Sequence, residues 1–131
     1  MSAFAPISLD DGVSPTPNTH TFSPSSIDPA GVARYFENDV ATVLDGRNAI
    51  SIGVKLPKAG GQVARVTMKV VIPVMNDDTP PLKIGEVIGN VEFVLPKNST
   101  IDQRADVLAY TANYLADASV VAAVTELESV Y

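Results

Sequence analysis

Between Ala49 and Leu95 the chain settles three times into a period of two, and this restricts the fold more than any other feature of the sequence. AISIGVKL, from Ala49 to Leu56, puts Ile50, Ile52, Val54 and Leu56 on one face and Ser51, Gly53 and Lys55 on the other. RVTMKVVIPV, from Arg65 to Val74, alternates Val66, Met68, Val70 and Ile72 with Arg65, Thr67, Lys69 and Val71. IGEVIGNVEFVL, from Ile84 to Leu95, sets Val87, Gly89, Val91, Phe93 and Leu95 against Glu86, Ile88, Asn90, Glu92 and Val94. Successive side chains of a strand point to opposite faces, so each run predicts a half-buried strand. PKAGG between the first two runs predicts a turn and an antiparallel hairpin. Pro73 falls near a strand end, where a missing donor is tolerated.

Upstream, Phe4–Leu9 and Thr19–Phe22 predict two short strands around the turn-rich DDGVSPTPN. Pro24, Pro29 and Gly31 are expected to interrupt the chain before a weaker strand at Val32–Phe36. Downstream of the loop NDDTPPLK and the third run, the period changes. Ser99 with Asp102, and Thr100 with Gln103, are capping-box candidates. Ile101, Ala105, Leu108, Ala112 and Leu115 then recur at helical spacing over about four turns. Val120, Ala123, Val124 and Leu127 mark a second helix over about Ser119–Glu128.

Strands followed by two helices predict an α+β chain of one domain, with an N-terminal hairpin (about 1–24), an antiparallel meander of about five strands (sheet 32–95), and two C-terminal helices (99–128). Two short helices cannot cover so many strands, so a two-fold dimer sharing helices across subunits is the expected completion, with Ile101, Leu108 and Leu115 on the dimer face.

Charge narrows the function. The net charge is −6, which as a sum disfavours a polyanionic partner. Yet 46–76 is free of acids and holds Arg47, Lys55, Lys58, Arg65 and Lys69, five of the nine bases, so this block carries +5 and the remainder −11. The chain has no cysteine, which removes disulfides and thiolate chemistry. No apolar run reaches the ~20 residues needed to cross a bilayer, and Met1–Leu9 lacks the pattern of a signal peptide. The expectation is a cytoplasmic protein with no membrane partner.

Catalysis finds no footing. His20 is the one histidine, without metal-ligand spacing, and reads as a strand or turn residue. No nucleophile elbow, phosphate-binding glycine loop or separated carboxylate pair occurs; Asp10-Asp11 and Asp77-Asp78 read as solvated turns. No cofactor or metal is expected, and no enzyme.

What remains is the polar sheet face: Ser51 and Lys55, then Arg65, Thr67 and Lys69, then Asn90 and Glu92. Residues two apart rise ~7 Å along a strand and strands lie ~4.8 Å apart, so these side chains should tile a flat field suited to an extended anion. Glu86 and Glu92 share the face and could pair with Lys69 or Arg65.

The hairpin, meander, proline-bearing loop and two C-terminal helices resemble the coat proteins of single-stranded RNA bacteriophages, the leviviruses. The resemblance rests on PNTHTFSPSSI (17–27), TMKVVIPV (67–74), STIDQRADV (99–107) and the closing LESVY, and spans essentially the whole chain. It implies an interlocked dimer with one continuous sheet, a T=3 icosahedral shell assembled in the host cytoplasm, and a virion that packages single-stranded RNA on the inner sheet face. It also implies repression of replicase translation through an RNA hairpin. The matching polar positions are Ser51, Lys55, Thr67, Lys69 and Asn90. A base-stacking tyrosine of some members corresponds to Ile88 and a serine to Gly53. The loop Met75–Lys83 is implied to meet its copies at the shell axes through Asp77, Asp78, Pro80 and Pro81. The competing reading is a small dimeric cytoplasmic binding protein that never assembles.

Overall fold

A computed structural model describes residues 3–37 and 43–129. Val130 and Tyr131 of LESVY, residues 38–42 inside the expected meander, and Met1 and Ser2 lie outside the described residues. The chain divides into two compact units, 1–94 and 95–131.

The first unit is a six-stranded sheet in sequence order: β1 (Ile7–Asp10), β2 (Thr19–Ile27), β3 (Ala33–Glu37), β4 (Ala49–Lys55), β5 (Val63–Met75) and β6 (Lys83–Pro96), the last ending two residues into the second unit. The four pairs from β1 to β5 are antiparallel. The three alternating runs become β4, β5 and β6, because their period matches the pleat.

The N-terminal part differs from expectation in two ways. β1 is shorter than Phe4–Leu9, and β2 does not stop before Pro24 but continues to Ile27. Pro24 stays in register opposite Tyr35, and the register shift that follows, between Pro24 and Ser26, leaves Ser25 as the extra residue, so the residue that cannot donate sits beside a bulge and the strand continues. Phe4, outside the strand, packs edge-on against Tyr35 with ring centroids 5.4 Å apart.

Register defines the faces. Tyr35 pairs with Ile50, Ile50 with Val70, Ile52 with Met68 and Val54 with Val66, so the apolar positions run as rows across β3, β4 and β5. Burial concentrates at the β2–β3 end of this face, where Phe22 and Tyr35 are 6% and 5% exposed. Toward β5 the rows open: Ile52, Val54, Met68, Val70 and Ile72 are all more than a third exposed.

A polar cluster braces the same end. Phe22 lies opposite Glu37, which is 3% exposed. His20 hydrogen-bonds Glu37 Oε1 through Nδ1 and Asp11 Oδ2 through Nε2, the latter at 3.0 Å, and Asn48 Nδ2 donates to Glu37 Oε2 at 2.9 Å. Both carboxylates favour the imidazolium, Asp11 most and Glu37 next, and raise the His20 pKa above its usual 6.5. The His20 bond, with backbone donors from Asn18 and Val13, holds Asp11 far below the carboxylate range. Asp11 is therefore a structural partner of the histidine rather than a solvated turn residue.

The second unit holds α1 (Ile101–Leu115) and α2 (Ala118–Thr125), bent by 60° at the break between them. Thr100 forms the capping box with Gln103: Thr100 Oγ1 accepts from Gln103 N at 3.2 Å and Gln103 Oε1 from Thr100 N at 3.0 Å. Ser99 instead donates its hydroxyl to Pro96 O at 2.7 Å. Asp117 caps α2 by accepting from Ser119 N at 2.9 Å. This helix ends earlier than the expected Glu128, because Leu127 turns into left-handed backbone with φ 58°. Among the described residues no single helix is long and apolar enough to cross a membrane.

Candidate nucleic-acid interface

The polar positions of β4 and β5 pair with one another directly. Ser51 stands opposite Lys69, Gly53 opposite Thr67, and Lys55 opposite Arg65. Cross-strand partners share a face, so hydroxyls and cations lie in rows and not merely in one segment of sequence.

The field is not flat. The β2–β3 turn, with Pro29, Ala30 and Val32, and Lys58 of the β4–β5 turn wall an open concavity of about 650 Å³. Ser51, Lys55, Arg65, Thr67, Lys69 and Asn90 of the expected polar face line it, and Glu92 does not. Gly53 makes the wall possible: a Cβ there would lie 2.9 Å from Val32 Cγ2. Asp28 fixes the turn, its Oδ1 accepting from Val32 N at 2.9 Å and Ala30 N at 3.0 Å, while Gly31 takes the left-handed φ of 83°. The Val32 bond is the chief reason that the Asp28 pKa is lowered.

Four cations line the concavity, and no carboxylate does among the described residues. They are not equivalent. Arg65 Nη1 is ion-paired with Glu92 Oε1, on the face that β6 was expected to share. Glu86 pairs with Lys83 instead of Lys69. Lys83 therefore accounts for most of the lowering of the Glu86 pKa, with Lys69 adding a weaker, longer-range pull. Lys55, Lys58 and Lys69 enter no ion pair among the described residues, which leaves them the available anion partners. Ile88 is 45% exposed and offers an aliphatic surface where an aromatic ring would allow stacking.

Sequence reasoning missed three contributors. Lys58 was counted in the basic block but not placed at the site. Arg34 reaches the polar face through the β3–β4 register, in which it pairs with Ser51, and the alternation in ARYFE is its signal in the sequence; Val32 reaches it from the β2–β3 turn, over Gly53.

The β5–β6 loop carries Asp77, Asp78, Pro80 and Pro81 as expected. Asn76 braces it, with Oδ1 accepting from Leu82 N at 2.8 Å and Nδ2 donating to Asp78 Oδ2 at 2.8 Å. In α1, Ile101, Leu108 and Leu115 are 75%, 58% and 56% exposed, an apolar stripe in need of a cover.

A sequential antiparallel meander with a basic, acid-free concavity on one face, followed by two capped helices, has the architecture of a small viral coat subunit. The chain belongs to the levivirus coat protein family, whose model matches residues 2–131. It is accordingly a structural protein of a phage capsid and not an enzyme. Its fold is similar to a chain of the virus-like particle of Beihai levi-like virus 21, at 23% identity and TM-score 0.90 over 99% of each chain. Similar too are chains of the virus-like particles of bacteriophages NT-214, at 24% identity, and ESE058, at 25%. Each of these has a TM-score of 0.88 and covers 99% of this chain and 100% of its own. No curated protein sequence matches the chain.

Proposed function

We propose that this coat protein dimerises, assembles into a T=3 icosahedral shell, and packages single-stranded RNA against the concavity formed by β4, β5 and β6. The sheet and helices then act as one coat domain, with α1 and α2 clasping a partner and the meanders joined into one sheet. The observation that carries the RNA reading is the register of β4 on β5. It sets Ser51, Lys69, Thr67 and Lys55 side by side on one face, within the longest acid-free stretch of the chain. Cations in rows recognise a phosphate backbone, and the hydroxyls and the Asn90 amide supply donors and acceptors for bases and sugars. The solved particles of similar chains support assembly.

Translational repression through a replicase hairpin is part of the same proposal, but with a different recognition chemistry. Ile88 provides no ring, so a stacking contribution of roughly 1–3 kcal/mol per base is missing. A hairpin would be held through Thr67, Lys69 and Asn90. At the shell axes, Asp77 and Asp78 repel their copies unless solvated or bridged by cations, which makes assembly sensitive to salt and divalent ions.

Expression followed by electron microscopy and absorbance at 260 nm tests the reading. Shells containing host RNA are expected, with RNA content falling in Lys55→Ala/Lys69→Ala while dimers persist. A discrete dimer free of nucleic acid would favour the non-assembling binding protein.

A further inference from the structure

Beside the main concavity lies a smaller one of about 70 Å³, lined by Arg34, Phe36, Ser51, Lys69 and Val71 among others. Arg34 pairs with Ser51, and Ser51 with Lys69, so the three stand in one row across β3, β4 and β5. At ~4.8 Å per strand, the two cations flank a single hydroxyl with ~10 Å between their backbones, a span that two long side chains close around one small anion. Phe36 and Val71, one row further on, remove water from that side and strengthen charge–anion attraction there. The Arg47 guanidinium packs over the Phe36 ring, 4.5 Å from its centroid.

We propose that Arg34, Ser51 and Lys69 form a phosphate-binding subsite for the nucleic-acid backbone, one strand beyond the face legible in the sequence. The subsite rests on the RNA-packaging reading above. Its planar fork suits Arg34 to two phosphate oxygens, with the Ser51 hydroxyl donating to one and Lys69 neutralising the charge. Arg34 now meets Asp28 Oδ2 at 3.3 Å, with the two side chains 52% and 28% exposed. Such a pair is weak and exchangeable. Asp28 keeps its bonds to the Val32 and Ala30 amides without Arg34, so the turn does not depend on the arginine.

The test is binding of an unstructured single-stranded oligoribonucleotide by the full chain over a salt series. Lys69→Gln should lower the slope of log K against log salt by about 0.7, and Arg34→Gln, whose side chain must first leave Asp28, should weaken binding and lower the slope by part of that amount. Arg34→Lys should restore the slope. If Arg34→Gln matches the wild type while Lys55→Ala weakens binding, the subsite is overturned and the RNA reading stands. If Lys55→Ala and Lys69→Ala are also silent, the RNA reading itself fails. On the wild-type protein, bound RNA should protect Arg34 from phenylglyoxal as read by mass spectrometry; unaltered modification overturns the subsite even if Arg34→Gln does not fold.

Discussion

A Cβ on Gly53 would come within 2.9 Å of Val32 Cγ2, so the glycine in the middle of β4 is the seat on which the β2–β3 turn rests. Val32 is β-branched and has little freedom to turn aside. Overpacking costs ~1–3 kcal/mol, while replacing a strand glycine by alanine returns ~0.5–1 kcal/mol of backbone entropy. Steric conflict wins, and Gly53→Ala should lose about 1 kcal/mol in chemical denaturation. An unchanged midpoint would mean that the turn lifts freely from the sheet.

The two carboxylates on His20 make the hairpin pH-dependent. The His20 pKa is raised, by Asp11 and then Glu37, so its contribution is fully present below the ordinary 6.5 and is lost as pH climbs through the higher folded value. The Asp11 pKa is depressed, so its share is present above the ordinary 3.8 and lost as pH falls toward the folded value. The melting temperature should therefore peak between these limits and decline from about pH 6.5 upward. In His20→Gln the alkaline decline should disappear; if it persists unchanged, another group is responsible.

The Arg65–Glu92 pair divides the cations of the concavity into two kinds. Lys55 has no such partner among the described residues, so Lys55→Ala should lower the salt slope of RNA binding by about 0.7, the value for one phosphate contact. Arg65→Ala should lower it by clearly less, and Glu92→Gln should tighten binding by freeing the guanidinium. Equal slopes for the two alanine variants would show that RNA displaces Glu92 at no cost.

The strands and helices were legible because they are local patterns: a period of two over Ala49–Leu95, a helical stripe after Ser99, and a Thr100–Gln103 box whose members are three residues apart. The polar face was legible for the same reason. Its third dimension was not. Val32 over Gly53, Arg34 beside Ser51, and His20 between Asp11 and Glu37 all depend on register between separate strands, which no short window of sequence fixes. Pro24 misled in the other direction: as a breaker it predicts an end, but a register shift lets β2 run past it.

The stripe on α1 is the feature that most demands a second subunit. Leu108 lies near its middle and is 58% exposed, although burying a leucine yields ~1.5–3 kcal/mol. If a partner chain covers it, Leu108→Asp puts a carboxylate into an apolar contact, where an unpaired charge is too costly to retain. Size-exclusion chromatography should then show loss of soluble dimer. Leu108→Met, which nearly conserves volume, should leave the dimer in place. The pair of variants separates a failed interface from a failed helix, because the Thr100 cap and the α1 backbone are common to both. A Leu108→Asp dimer of unchanged stability would show that the stripe faces solvent, and the clasp would have to be sought on another surface.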